Sequence, residues 1–168
     1  DISSGEVVTA DFMPMSFNGG AVTLEPQLQL QWSPGEGVVR KWVRYRLTGS
    51  LSGQVLKEIV LETISRTFLL GDPIIWPPQS YPAFKNGFFM GIEFPVASTR
   101  IEGQNLILGH KPGLRPLAGV WYESRRAIYG AAALGKERKA FKDYITLHRL
   151  QPTGLHIDYN TWWTAPYP

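Results

Sequence analysis

Apolar and polar residues alternate along the first half of the chain, in short runs that turn signals separate. Leu24, Leu28, Leu30 and Trp32 all fall on even positions, as in a strand that buries one face. The stretch SPGEG supplies proline and glycine for a turn, and a second alternating run, VVRKWVRYRL, begins at Val38. Such runs recur at intervals of about ten residues, which predicts an antiparallel β-sandwich.

The second of these runs is rich in arginine. Arg40, Arg44 and Arg46 share one side of it with Trp42, a combination that could pair with phosphates and stack on bases. The alternative is the outward face of a sandwich strand whose charge partners lie on a neighbouring strand. Those partners would be Glu58 and Glu62. We favour the outward face, because no second basic strand follows and the net charge is only +3. No nucleic-acid partner is therefore expected.

The second half of the chain predicts fewer strands and one helix. Four prolines between residues 71 and 87 exclude a helix or a central strand, so a long loop or an edge strand is expected there. The run VWYESRRAIYGAAAL is typical of one long strand. Helical spacing appears at residues 136–150, and the residues predicted to pack are Phe141, Tyr144, Ile145 and His148. A last strand pattern, HIDYNTWWT, follows the helix-breaking QPTG.

The amino-acid composition argues against several kinds of functional site. The chain has no cysteine, and its histidines, His110, His148 and His156, lack the spacing of metal ligands. No metal or other cofactor is therefore expected. No run approaches the ~20 apolar residues of a membrane span, and the first residues do not resemble a signal peptide. No membrane partner is expected; the compartment stays open, and we favour a secreted or periplasmic one from which a leader has been removed.

The terminal stretch HIDYNTWWTAPYP carries the candidate binding residues. Asp158, Asn160 and Trp162 share one side of the predicted strand, and Trp163 lies on the other. Carboxylates and amides hydrogen-bond to sugar hydroxyls, while flat aromatic rings cover the apolar CH faces of a sugar. These residue types predict carbohydrate binding. A last sandwich strand with both tryptophans in the core is the open alternative.

Five short motifs occur in order along residues 86–164: FF-x-G-x-E-x-P, a PG turn, YG-x-A, ER-x-AF-x-x-YI and YN-x-WW. Their order and spacing resemble the junction in α-galactosidase-like (melibiase-like) glycoside hydrolases, where a galactose-mutarotase-like supersandwich joins a (β/α)8 barrel. The resemblance implies a β-sandwich domain at 1–134, a linker helix and turn at 135–154, and the first barrel strand at 155–168. Residues 1–85 match only in being rich in strands.

By position, the resemblance places Asn160, Trp162 and Trp163 in the wall of a sugar-binding pocket, with Asp158 or Thr164 adjacent to them. A (β/α)8 barrel needs ~250 residues, so the family's catalytic carboxylates cannot be assigned in this chain. We therefore expect a non-catalytic N-terminal domain of a glycoside hydrolase, which braces a barrel in cis and shapes the carbohydrate site. The chain alone is expected to be inactive, and an exposed apolar strand is expected to favour a homo-oligomer.

Two alternatives stay open. One is a stand-alone carbohydrate-binding sandwich with a tryptophan platform, for which the candidates are Trp32, Trp42, Trp76 and Trp121. The other is a nucleic-acid binder that uses Arg40, Arg44 and Arg46, whose affinity would fall steeply with added salt.

Overall fold

The computed structural model describes residues 5–33, 35–65, 67, 74–75, 82–93 and 97–148. Within these ranges the protein is mainly β, with antiparallel sheets and one α-helix, which confirms the predicted fold class. The strands are β1 (Val7–Asp11), β2 (Met15–Phe17), β3 (Val22–Ser33), β4 (Val38–Gly49), β5 (Ile59–Ser65), β6 (Ile74–Ile75), β7 (Ala83–Lys85), β8 (Phe88–Ile92), β9 (Ala97–Glu102), β10 (Asn105–His110), β11 (Trp121–Glu123) and β12 (Ala127–Ala131). The helix is α1 (Glu137–His148), and a single 3-10 turn occupies Asn18–Gly20.

The strands form a nine-stranded sheet and a three-stranded sheet. The large sheet has the order β1-β3-β4-β12-β8-β7-β6, with β2 paired to β3 and β11 paired to β4. The small sheet has the order β5-β10-β9. The two-residue strand β6, in the proline-rich segment, lies at the edge of the large sheet, where the prolines predicted an edge position.

The large sheet lies between the small sheet and the helix. On one side Ala83 and Met90 pack against Leu106 and Leu108 of the small sheet. On the other side the helix covers a second apolar cluster, which consists of Val38, Phe84, Phe89, Ile128 and Tyr144. Each side of the sheet therefore has its own core. Because successive side chains of a strand point to opposite faces, whether a residue of β4 is buried by the helix or by the small sheet depends on whether its number is even or odd.

The predicted buried side of β3 is wrong at the end of the strand. Leu30 and Trp32 are 37% and 49% exposed, whereas Gln29 and Ser33 on the opposite side are 4% and 5% exposed. The small sheet contacts the large sheet at β4 and β8. Because three strands span much less width than nine, the small sheet does not cover this end of β3.

The predicted outward side of β4 is wrong at two positions. Arg40 and Trp42 are only 3% and 6% exposed. Arg40 lies under the helix, where its guanidinium group contacts the Tyr144 ring. Of the two predicted charge partners, Glu62 does pair with this strand, at Lys41, whereas Glu58 pairs with Arg100. The arginine side of β4 is therefore partly interior.

The helix begins and ends close to its predicted limits, and residues 149–150 lie outside the described part of the chain. Tyr144 is buried as predicted, but Ile145 is 45% exposed, so the prediction that it packs is wrong. The Glu137 carboxylate accepts hydrogen bonds from the backbone N–H groups of Gly87 and Gly135, at 2.8 and 3.1 Å. The start of the helix is thereby tied to the turn between β7 and β8.

Candidate functional site

A cleft of about 640 Å³ opens beside the junction of β11 and β12. It lies within the 300–1,000 Å³ range of small-molecule sites. Its walls come from β4, from Glu93 after β8, from the end of β10 with the loop that follows it, and from β11 with the segment between β11 and β12. The lining residues are Tyr45, Glu93, His110, Lys111, Pro112, Leu114, Tyr122, Glu123, Ser124, Arg125 and Arg126.

A β-bulge builds this cleft, so the prediction of one long strand at VWYESRRAIYGAAAL is wrong. Glu123 pairs with Arg44 and Ala127 pairs with Lys41, so four steps on β11–β12 oppose three steps on β4. The backbone N–H of Ser124 still donates to the carbonyl of Val43 at 2.8 Å. One extra residue bends the strand and redirects neighbouring side chains, as bulges next to binding sites do.

His110 holds the backbone of the bulge at Arg125. Its Nε2 accepts a hydrogen bond from the backbone N–H of Arg125 at 3.0 Å, which places the proton of the neutral ring on Nδ1. Burial, and then the charge of Arg125, lower the pKa of His110 below its ordinary value. At neutral pH the ring is therefore uncharged and holds the cleft backbone in place.

Two stacked tyrosines form the aromatic wall of the cleft. The rings of Tyr45 and Tyr122, at directly paired positions of β4 and β11, are 5.7 Å apart at an angle of 23°. The Tyr122 hydroxyl accepts a hydrogen bond from the backbone N–H of Leu117 at 2.8 Å. Burial, and then Tyr122, raise the pKa of Tyr45. The Tyr45 phenol is therefore neutral at physiological pH, and the paired rings give the cleft a flat aromatic wall.

The two carboxylates of the cleft are already engaged. Glu93 accepts hydrogen bonds from the Tyr144 hydroxyl and from Nε of Arg40, the latter at 3.2 Å. Glu123 lies 3.3 Å from Nε of Arg44. Both carboxylates of the cleft are therefore held by side chains of the protein itself.

The arginine-rich strand carries little net charge in the fold. Arg40 pairs with Glu36 at 2.6 Å and with Glu93, Arg44 pairs with Glu123, and Arg46 pairs with Glu25. A phosphate backbone would have to displace these carboxylates, so the electrostatic gain on which nucleic-acid binding depends would be small.

The candidate binding residues Asp158, Asn160, Trp162 and Trp163 lie outside the described residues, as does Trp76. Of the other proposed platform residues, Trp32 is half exposed and Trp42 is buried. The Trp121 ring lies 5.3 and 5.0 Å from the guanidinium carbons of Arg44 and Arg46. The sequence prediction missed Tyr45, His110 and Tyr122; the adjacent Arg125 and Arg126, which interrupt strand alternation, were the signal for a bulge there.

The described part of the chain contains no group of three or more His, Asp or Glu residues that could hold a metal ion. Its helix is neither long nor apolar enough to cross a membrane. Comparisons of the chain with family models, with curated proteins and with solved structures found no match.

Proposed function

We propose that this chain is a non-catalytic, carbohydrate-binding β-sandwich domain of a glycoside hydrolase of α-galactosidase-like type. The Tyr122 cleft would bind the sugar, and the domain would brace the catalytic barrel. Asn160, Trp162 and Trp163 keep their proposed place in the wall of the barrel site, and Asp158 keeps its proposed place beside it. The observation that carries the proposal is the stacked tyrosine pair within a cleft of ligand size, because a neutral aromatic wall beside fixed polar groups suits the two kinds of sugar surface.

The alternative is a stand-alone carbohydrate-binding module. Such a module would bind sugar in the same cleft, but it would not belong to a protein with a catalytic barrel. An exposed Trp32 platform would be a different version of this alternative, because Trp32 pairs with Val39 and does not line the cleft around Tyr45. The two sites can be separated by single substitutions.

Calorimetric titration of the chain with α-linked galacto-oligosaccharides and with other neutral oligosaccharides tests the proposal. We expect saturable binding that Tyr122→Ala weakens at least tenfold and that Tyr122→Phe largely keeps, because phenylalanine retains the ring. Trp32→Ala is the control and should bind like the unmodified chain. Absence of binding to every sugar, or loss of binding in Trp32→Ala alone, would overturn the assignment of the cleft.

A further inference from the structure

The tyrosine wall of the cleft lies on the side of the large sheet that faces the small sheet. Side chains of a strand alternate between its two faces, and Lys41 of β4 forms an ion pair with β5 of the small sheet. Tyr45 is an even number of residues further along β4, so its ring lies on the same face, and Tyr122 stacks on it. We call this part of the cleft the tyrosine side. It is lined by Tyr45, His110, Lys111, Tyr122 and Arg125.

The two carboxylates that line the cleft point to the other side of the sheet. Glu123 lies 3.3 Å from Nε of Arg44, which is on the helix-facing side of β4. Glu93 lies 3.2 Å from Nε of Arg40 and accepts a hydrogen bond from the hydroxyl group of Tyr144 in the helix. Each carboxylate therefore lies next to a guanidinium group on the helix side. Their charges are compensated away from the tyrosine rings.

The tyrosine side carries positive charge. Burial, and then the charge of Arg125, lower the pKa of His110, so the Arg125 charge acts within the cleft. Lys111 is exposed and forms no ion pair with a residue that the structure describes. The sequence has no Asp or Glu between Glu102 and Glu123, the stretch that contains β10 and the loop after it. This wall of the cleft therefore supplies cations and no carboxylate of its own.

Positive charge beside a flat aromatic wall favours one class of sugar. A carboxylate on the sugar ring accepts charge-assisted hydrogen bonds from Lys and Arg side chains, and these are about twice as strong as neutral ones. A neutral sugar forms weaker hydrogen bonds with the same cations and still displaces their water. A sugar with a carboxylate also keeps the apolar CH face that packs on aromatic rings. The cleft therefore suits an acidic sugar better than a neutral one.

We propose that the Tyr122 cleft binds an acidic sugar, whose carboxylate contacts Lys111 and Arg125 while its ring lies on the tyrosine wall. This inference rests on the proposed function and names the ligand class of the same site, which is a sugar with a uronic acid unit. A neutral sugar of the same shape binds in the cleft more weakly. Because Lys111 is exposed, the preference for the acid depends on ionic strength.

Calorimetric titration with two forms of one sugar tests the ligand class. Oligomers of α-linked galacturonate and their methyl esters share the same rings and linkages, but only the free acid is charged. At low salt we expect the acid to bind roughly tenfold more tightly than the ester, and we expect added sodium chloride to reduce this difference. Equal affinities, or tighter binding of the ester, would overturn the ligand class while the sugar site stands. If neither form binds, and neutral oligosaccharides do not bind either, the proposed function itself fails.

Two substitutions of exposed residues locate the charge that the sugar carboxylate meets. Lys111→Met should lower the affinity for the acid about fivefold and leave the affinity for the ester unchanged. Arg126→Met is the matched control. Arg126 also lines the cleft, but its guanidinium carbon lies 4.8 Å from the ring centre of Trp42, on the helix side of the sheet. This variant should bind both forms like the unmodified chain. Equal losses in the two variants, or an unchanged preference in Lys111→Met, would contradict a carboxylate site on the tyrosine side.

Discussion

The guanidinium carbon of Arg40 lies 5.5 Å from the ring centre of Tyr144, so α1 docks on a buried charge of β4 as well as on an apolar cluster. The same guanidinium donates to Oε2 of Glu36 at 2.6 Å and to the Ser33 hydroxyl at 2.7 Å. His148, in the last helical turn, lies 3.1 Å from the Glu36 carboxylate. This network fixes where the end of the helix meets the sheet.

Removing Arg40 should destabilise the protein strongly. Arg40→Ala would leave the carboxylates of Glu36 and Glu93 without their main cation, and breaking a buried ion pair costs about 3–5 kcal/mol. Lys139→Ala is the matched control, because the Lys139–Asp143 pair is exposed and contributes about 0.5 kcal/mol or less. Urea unfolding measures both variants. Equal losses for the two would contradict the role assigned to the network.

The same network predicts a loss of stability in acid. Burial alone would raise the pKa of Glu36, but the hydrogen bond and charge of Arg40, and then those of His148, outweigh it and lower that pKa below its ordinary value of 4.5. A carboxyl group whose pKa is lower in the folded state stabilises the fold above its unfolded pKa, and this contribution disappears as the pH falls through the folded value. Urea unfolding between neutral pH and about pH 3 should therefore show a smaller pH dependence for Glu36→Gln. An unchanged dependence would exclude Glu36 as a contributor.

Gly130 should not tolerate a side chain. A methyl group at this position in β12 would lie 2.0 Å from Cζ of Phe89, whose ring is buried in the helix-side core. Overpacking of this kind costs about 1–3 kcal/mol. Gly35→Ala is the control, because no atom lies within 4 Å of its added methyl group, and it should change stability by no more than about 0.5 kcal/mol. A Gly130→Ala protein as stable as the Gly35→Ala protein would show that β12 packs differently.

The Glu137 carboxylate should protect two backbone amides. Because the N–H groups of Gly87 and Gly135 donate to it, Glu137→Ala should speed hydrogen exchange at both, while Glu137→Gln should keep much of the protection. A hydrogen bond from its own backbone N–H, and then those from Gly87 and Gly135, lower the pKa of Glu137. Protection that survives Glu137→Ala would mean that other acceptors hold the turn.

Sequence periodicity was enough to predict the strand-rich class and the helix, because strand alternation and helical spacing are local properties. It could not show which side of a strand a neighbour covers, so Trp32 was wrongly assigned to the core. The burial of Arg40 depends on Glu93 and Tyr144, which are distant in sequence and meet it only in the fold.

The cleft was beyond prediction for a related reason. A bulge is defined by the register between two strands, here the extra step on β11–β12 relative to β4, and register depends on distant parts of the chain. His110 reaches Arg125 only because β10, in the other sheet, ends beside that bulge.

The most direct test of the central claim is an NMR titration of the backbone amides with the tightest-binding oligosaccharide, followed over time for release of free sugar. The amides of Leu117 and Arg125 report on the cleft, because they donate to the Tyr122 hydroxyl and to His110. We predict saturable shifts centred on these amides with no hydrolysis. Steady release of free sugar, or saturable shifts that leave both amides unchanged, would contradict a non-catalytic sugar site at Tyr122.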